Sequence, residues 1–184
     1  TVAGCTFPST CELITVLTDP IVDLTVGNND STICLNNDFT IDATGASTYA
    51  WSGPNGFNST NASETILSAT ASDEGYYYVT GTDGEGCFAM DSMYITVLAL
   101  PSITISADAV NNTYCGGGIA NLSATGGTSY VWTGPNGFTS SVSNPTLLDL
   151  TAAEEGYYVA TATDDEMCSN IDSVYVSVVT NVPA

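Results

Sequence analysis

Carboxylates are the side chains with the most chemical potential in this sequence, and they gather at two places that we predict to be hairpin tips. The 184-residue chain has 20 Asp and Glu and no Lys, Arg or His, which gives a formal net charge of −20. We expect no cofactor, with calcium as the one open candidate, because carboxylate and carbonyl oxygens are the ligands that Ca²⁺ prefers. The hairpin carboxylates are Asp83, Glu85, Asp164, Asp165 and Glu166.

Two alternatives stay open for the hairpin carboxylates. Their order does not follow the EF-hand loop, and solvated loop carboxylates that keep the chain soluble would look the same. Paired carboxylates also perform glycoside hydrolysis, but a small β-sandwich without a large cleft rarely does this.

The missing cations exclude several classes of function. Without His, Lys or Arg, general-base catalysis by His, amine nucleophiles and His-based zinc sites are ruled out. Nucleic acids and anionic membranes need Lys or Arg to offset their phosphate charge, so neither is expected as a partner. We therefore predict a protein that is not an enzyme.

Six cysteines are the second chemically active group. Cys34 and Cys87 are 53 residues apart, and so are Cys115 and Cys168. This shared spacing predicts one disulfide in each of two domains, which implies an oxidising, extracellular location. The alternative is four buried free thiols. Cys11 has no counterpart in the rest of the chain, and we expect it to bond Cys5 locally.

The elements that position the carboxylates and cysteines are organised around one stretch of sequence that occurs twice. Residues 51–57 read WSGPNGF and residues 132–138 read WTGPNGF, at an offset of 81 residues that the cysteines share. A fixed period of this length indicates tandem domains. Within the stretch, Pro, Asn and Gly favour a tight turn, so we expect a strand to end at Trp and the next to begin near Phe.

Short strands separated by turn residues fill both repeats. Alternating segments such as 39–43 and β-forming runs such as 76–80 recur, and no useful helical period appears. Seven short strands per repeat predict an all-β fold of two tandem sandwiches. The domains are expected at residues 21–100 and 101–184, after an extension at residues 1–20. Trp51 and Trp132 are predicted to be core residues.

The sequence resembles immunoglobulin-like domains at specific residues. Asp73-x-Gly75-x-Tyr77 and its counterpart at residues 154–158 are similar to the tyrosine corner, and Trp51 lies where such domains keep their core Trp. Each repeat has the same order of motifs, namely Cys, Tyr-x-Trp-[Ser/Thr]-Gly-Pro-Asn-Gly-Phe, Gly-Tyr-Tyr, Thr-Asp and Cys. This order resembles the immunoglobulin-like repeats of large surface and secreted proteins from gliding bacteria that use type IX secretion.

The same resemblance suggests sites of modification. Ser31, Ser92 and Ser173 each follow an Asp, in a pattern similar to the O-glycosylation acceptor of that bacterial group. The alternative for Ser92 and Ser173 is that Asp-Ser merely precedes the last strand. A further set of candidates is aromatic, and its members could stack on sugars at a flat face: Tyr49, Tyr76, Tyr77, Tyr78, Tyr157 and Tyr158. The alternative is that alternate members fill the core and the rest cover the sheet.

Residues 1–20 resemble the closing strand of a repeat without its front half. Apolar Ile14, Val16 and Leu17 correspond to closing-strand residues, and an uncovered strand of this kind tends to pair with another chain. The alternative is a remnant of a preceding repeat.

Together these features predict a non-catalytic extracellular or cell-surface structural protein. We expect a subunit of a fibre, filament or adhesin, assembled through the N-terminal strand with copies of itself or with other surface-protein repeats. The alternative is a carbohydrate-binding or spacer module of a secreted enzyme, with glycans as ligands.

Overall fold

The computed structural model describes residues 17–27 and 31–180, and over these residues the chain is all-β. The first repeat has β1 (Asp23–Val26), β2 (Thr32–Cys34), β3 (Phe39–Thr44), β4 (Thr48–Ser52), β5 (Asn58–Ser59), β6 (Ser63–Ile66), β7 (Gly75–Thr82) and β8 (Phe88–Leu98). The second has β9 (Thr104–Ala107), β10 (Thr113–Cys115), β11 (Ala120–Thr125), β12 (Ser129–Thr133), β13 (Thr139–Ser140), β14 (Thr146–Leu147), β15 (Gly156–Thr163) and β16 (Ser169–Val179). Short 3₁₀ turns occur at Pro54–Gly56, Ala71–Asp73, Val110–Asn112 and Pro135–Gly137. Within the described ranges, no helix is long and apolar enough to cross a membrane.

Each repeat forms one three-stranded and one five-stranded sheet. The strand orders are β1-β3-β6 and β2-β8-β7-β4-β5 in the first repeat, and β14-β11-β9 and β10-β16-β15-β12-β13 in the second. The pairing of β7 with β8 and of β15 with β16 is antiparallel, whereas β10 runs parallel to β16. Two such sheets, with a buried Trp on a central strand, are the immunoglobulin-like sandwich, so the predicted fold class is confirmed.

The chain divides into two compact units. One contains Asp38–Thr96 together with residues that precede Cys34, and the other contains Cys34–Asn37 together with the chain from Val97 onwards. In the second unit, the core draws side chains from both sheets, with Leu122 and Leu147 on one and Trp132, Tyr158 and Val176 on the other.

The repeated turn folds as the sequence predicts. β4 ends at Ser52, the 3₁₀ turn reverses the chain, and β5 pairs back antiparallel with Trp51 opposite Ser59. Asn55 and Asn136 hold left-handed backbone with φ of 54° and 52°, a region that Asn tolerates better than most residues. Pro therefore starts the reversal and Asn completes it in both copies.

The predicted core tryptophans are buried, with exposed fractions of 3% for Trp51 and 0% for Trp132. Each indole N–H donates to a backbone carbonyl ten residues ahead, at 2.7 Å to Asn61 and 3.0 Å to Val142. A buried indole needs such a partner for its one donor. The large apolar ring is thus placed in the core without an unsatisfied polar atom.

Both repeats contain the tyrosine corner. The Tyr77 hydroxyl donates to the Asp73 carbonyl at 3.0 Å, and the Tyr158 hydroxyl donates to the Glu154 carbonyl at 2.9 Å. Burial raises the pKa of Tyr77 to about 12, with a further contribution from the Asp73 charge. The phenol therefore stays protonated and keeps donating. Phe57 packs edge-on against Tyr77 at 5.3 Å, which ties the repeated turn to the corner.

Candidate functional site

The hairpin carboxylates sit on the tips between β7 and β8 and between β15 and β16. Asp83 Oδ1 accepts the backbone N–H of Glu85 at 3.0 Å and of Cys87 at 2.8 Å, and Asp164 Oδ1 accepts that of Cys168 at 2.8 Å. Each Asp thus stabilises its own turn. Among residues 17–27 and 31–180, no group of three or more Cys, Asp or Glu is arranged to hold a metal ion. Calcium binding by the hairpin carboxylates stays a prediction.

The cysteines are joined differently from the sequence prediction. The structure has a disulfide between Cys34 and Cys168, with their Cα atoms 5.5 Å apart. Cys87 is a half-buried free thiol and Cys115 an exposed one. The predicted pairings of Cys34 with Cys87 and of Cys115 with Cys168 are therefore wrong, whereas Cys5 and Cys11 lie outside the described residues.

Strand length explains the correction. Leu35, next to Cys34, donates its backbone N–H to the carbonyl of Leu98 at 2.8 Å, at the far end of β8. Cys87 instead precedes Phe88, the first residue of that 11-residue strand. At about 3.3 Å per residue, the two cysteines of one repeat are roughly 30 Å apart, whereas a disulfide needs Cα atoms within about 7 Å.

The outer side of the five-stranded sheet of each repeat carries exposed tyrosines, and we call these surfaces the tyrosine faces. In the first repeat, Tyr76 stacks on Tyr78 with ring centroids 5.8 Å apart and meets Tyr94 edge-on at 5.0 Å. In the second, Tyr157 meets Tyr175 edge-on at 5.0 Å. Because side chains alternate along a strand, Tyr77 lies in the core while both of its neighbours face outward.

A glutamate borders each tyrosine face. The Tyr94 hydroxyl donates to Glu74 Oε1 at 3.3 Å, and the Tyr175 hydroxyl donates to Glu155 Oε1 at 3.2 Å. The pKa of Tyr94 is raised, chiefly by the charge of Glu74, and that of Tyr175 is raised by burial and then by Glu155. The faces therefore offer flat rings, protonated phenols and carboxylate acceptors, a combination suited to polar ring-shaped ligands such as sugars.

The candidate acceptor serines share these faces. Ser92 is exposed in β8 directly opposite Tyr78, and Ser173 is exposed in β16 opposite Val159. Both lie within the last strand rather than before it, and Ser31 is exposed just ahead of β2. A glycan on Ser92 would lie over the tyrosine rings. Glycosylation at all three serines stays a prediction.

A groove of about 320 Å³ in the second repeat is lined by Pro135, Phe138, Leu147, Tyr158 and Glu154, among others. The Glu154 carboxylate in this groove has a lowered pKa. The largest cause is the hydrogen bond that it accepts from Thr151, and a hydrogen bond from Asn136 adds to it. Glu154 is thus held ionised and engaged in structure. The lining offers no second carboxylate, so it does not match the acid–base pair of a glycosidase.

The residues predicted to mediate assembly are only partly described. Leu17 is 50% exposed and precedes the first strand, in backbone without regular structure. Ile14 and Val16 lie outside the described residues. Assembly through residues 1–20 stays a prediction.

Comparison with known proteins gives structural similarities at low identity. No protein-family model matches the chain, and no curated protein does. The chain is similar to three N-terminal domains of the bacteriophage RB49 Highly Immunogenic Outer Capsid protein (TM-score 0.43, 16% identity). The match includes 87% of this chain and spans 59% of that one. It is similar to a 1.5-MDa bacterial ice-binding adhesin (TM-score 0.43, 14% identity, 89% of this chain and 66% of that one). It is also similar to the amphioxus IgVJ-C2 molecule (TM-score 0.39, 19% identity, 79% and 99%).

Proposed function

We propose that this chain is a non-catalytic extracellular structural protein, a subunit of a surface fibre, filament or adhesin. The disulfide between Cys34 of the first repeat and Cys168 of the second carries the proposal. Such bonds form and persist in oxidising environments outside the cytosol. Both cysteines belong to the same compact unit, so the bond stabilises that unit as an extracellular disulfide does.

Composition and sequence pattern support the same assignment. A chain with 20 carboxylates and no basic side chain is repelled by nucleic acid and anionic lipid, and it has no His, Lys or Arg for catalysis. The resemblance of its repeats to those of type IX-secreting gliding bacteria supports an extracellular destination. Homopolymers or contacts with other surface-protein repeats are the partners that this assignment implies.

Residues 1–20, which the sequence predicts to include a strand, are the proposed assembly element. The full chain and a variant lacking residues 1–20 would be compared by electron microscopy and light scattering under reducing conditions. Ile14→Asp with Val16→Asp tests the apolar face of the strand, and Thr15→Asp is the matched control on its other face. Fibres from the full chain and the control, but not from the other two variants, are expected. Equal assembly by the deletion variant would refute a role for these residues.

Carbohydrate binding is the second candidate, and the tyrosine faces favour it. Aromatic stacking on sugars would be lost in Tyr76→Ala, which removes the ring between Tyr78 and Tyr94. Leu67→Ala is the control, because Leu67 is 69% exposed and lies outside the tyrosine faces. A screen of surface polysaccharides followed by calorimetric titration should show weaker binding for the Tyr variant alone. Absence of binding by the unmodified chain would remove this candidate.

Neither assignment requires a cofactor, and calcium at the hairpin carboxylates is the one that we propose to test. Bound calcium would raise the melting temperature through preferential binding to the folded state. Melting curves with 1–5 mM calcium, about the range of weak extracellular sites, would be compared with curves in chelator. Asp165→Asn and Glu166→Gln should remove the shift. An unchanged melting temperature for the unmodified chain would exclude a site at the hairpin carboxylates.

A further inference from the structure

Two free cysteines occupy the positions that are bonded in the neighbouring repeat. Cys115 is the counterpart of Cys34, and Cys87 is the counterpart of Cys168, both at the offset of 81 residues. The bonded pair is therefore one strand-end cysteine and one hairpin cysteine from consecutive repeats. The first repeat thus keeps a free hairpin cysteine, Cys87, and the second keeps a free strand-end cysteine, Cys115.

The strand end that carries Cys115 has the same geometry as the strand end that carries Cys34. Leu35 donates its backbone N–H to Leu98 at 2.8 Å, and the equivalent Gly116 donates to Val179 at 2.9 Å. Cys115 is exposed. Its sulfur is thus presented from an ordered strand end, as that of Cys34 is, and is accessible to another molecule.

The hairpin that carries Cys87 likewise matches the hairpin that carries Cys168. Asp83 Oδ1 accepts the Cys87 N–H at 2.8 Å, and Asp164 Oδ1 accepts the Cys168 N–H at the same distance. The return bonds, from the Asp N–H to the Cys carbonyl, measure 2.9 Å and 3.0 Å. Both cysteines are therefore held in the same turn, and Cys87 is held there without a bond.

We propose that Cys115 of one chain forms a disulfide with Cys87 of a second copy of this chain, which repeats the Cys34–Cys168 bond between molecules. The link is head-to-tail, so each copy can bond one neighbour at each thiol, and an open polymer results. The inference rests on the proposed function in one respect, namely that the chain assembles in an oxidising compartment.

Carboxylates lie near the cysteines of the existing bond and of the proposed one. The bonded Cys168 shares its hairpin with Asp164, Asp165 and Glu166. The pKa of the Cys87 thiol is raised by burial and by the charges of Asp83, Asp19 and Glu85. On the other side, Asp38 follows Cys34 by four residues, and the equivalent position after Cys115 is Ile119. High salt screens the repulsion from these carboxylates and from the net charge of −20 on each chain.

The bond forms by two thiol–disulfide exchanges with a small-molecule disulfide such as oxidised glutathione. The Cys115 thiolate attacks one sulfur of the oxidant, which forms a mixed disulfide and releases one small thiol. The Cys87 thiolate of the second chain then attacks the Cys115 sulfur and releases the other. Two protein thiols lose two electrons and two protons, and the oxidant is reduced to two small thiols.

The experiment uses the full chain with Cys5→Ser and Cys11→Ser. Its four remaining cysteines are then the free Cys87 and Cys115 and the bonded pair Cys34–Cys168. Oxidation in a glutathione buffer at high salt, followed by non-reducing gel electrophoresis, should show covalent multimers of the 18.9 kDa chain. Cys87→Ser alone and Cys115→Ser alone should give none. Mixing these two variants should give dimers and no higher species, since each supplies one half of the link.

Peptide mapping completes the assignment, with pepsin because the chain has no Lys or Arg for trypsin. Recovery of a Cys87–Cys115 peptide from the mixed-variant dimer is the expected result. Multimers from either single variant, a Cys115–Cys115 bond, or no multimer from the parent chain would overturn the proposal. A control with Cys115→Ser and Ser141→Cys, which moves the exposed thiol elsewhere, should lose the multimers.

Failure of this link is distinguishable from failure of the proposed function. Fibres that form under reducing conditions without covalent multimers on oxidation would leave the structural role intact and refute the disulfide. Covalent multimers from a chain that gives no fibres under any condition would support the disulfide and refute assembly through the N-terminal strand.

Discussion

We expect any side chain at Gly134, in the repeated turn, to destabilise the second repeat, because its Cβ would collide with the Tyr158 ring of the tyrosine corner. Its backbone is extended, with φ of −170°, so other residues could adopt the conformation. A Cβ added there, however, would lie 2.5 Å from Cδ1 and 2.7 Å from Cε1 of Tyr158. That ring is fully buried and is held by its hydroxyl hydrogen bond to Glu154, so it cannot move aside.

We expect Gly134→Ala to cost about 2 kcal/mol of unfolding free energy, within the range of roughly 1–3 kcal/mol for overpacked cores. With a denaturant slope of about 2 kcal/mol per molar, the urea midpoint should fall by about 1 M. For a domain of this size, the melting temperature should fall by roughly 8–16 °C.

Gly137→Ala is the matched control in the same turn. Gly137 has φ of +71° and open space around its added Cβ, so its cost comes from the backbone alone, at about 1–2 kcal/mol. Tyr158→Leu then separates the two causes, because it removes the rigid ring. In that background, Gly134→Ala should lose most of its cost, with a coupling energy of about 1–2 kcal/mol, whereas Gly137→Ala should keep its cost.

The assay is urea unfolding followed by Trp132 emission in a Trp51→Phe background, where Trp132 is the single tryptophan. Its burial and its place two residues before Gly134 make it a reporter of the second repeat. If Gly134→Ala is as stable as the parent, or costs the same with Tyr158→Leu as without it, the steric explanation is refuted.

Three further predictions concern the corner, the serines and pH. Tyr77→Phe removes the hydroxyl donated to Asp73 and should cost about 1 kcal/mol in urea unfolding; an unchanged midpoint would contradict this. Material from the native host should carry O-glycans on Ser92 and Ser173, which intact-mass analysis would detect against the 18.9 kDa polypeptide and Ser→Ala variants should lose; a bare mass would refute it. The pKa of Glu154 is lowered in the folded state, so its stabilising contribution should be present above its ordinary value of 4.5 and be lost as pH falls below it. The melting temperatures of the unmodified chain and Glu154→Gln should therefore converge in acid, and a constant difference between them would argue against this linkage.

The local sequence pattern determined most of the fold. Pro-Asn-Gly turns, alternating β-forming runs and the Asp-x-Gly-x-Tyr motif act over a few residues, so their structural outcome is readable without the tertiary structure. The repeated turn, the burial of Trp51 and Trp132 and the immunoglobulin-like sandwich all follow from such patterns. The 81-residue period predicted that these features would occur twice.

The tertiary structure alone decided the partners of the cysteines. An equal spacing of 53 residues is compatible with a bond inside each repeat and with a bond between repeats, because a periodic sequence labels equivalent positions identically. The choice depends on distance in space: β8 separates Cys34 from Cys87 along its full length, whereas Cys34 and Cys168 have Cα atoms 5.5 Å apart. Sheet registry likewise placed Ser92 opposite Tyr78 on one face, since cross-strand neighbours are set by pairing between distant segments rather than by either segment itself.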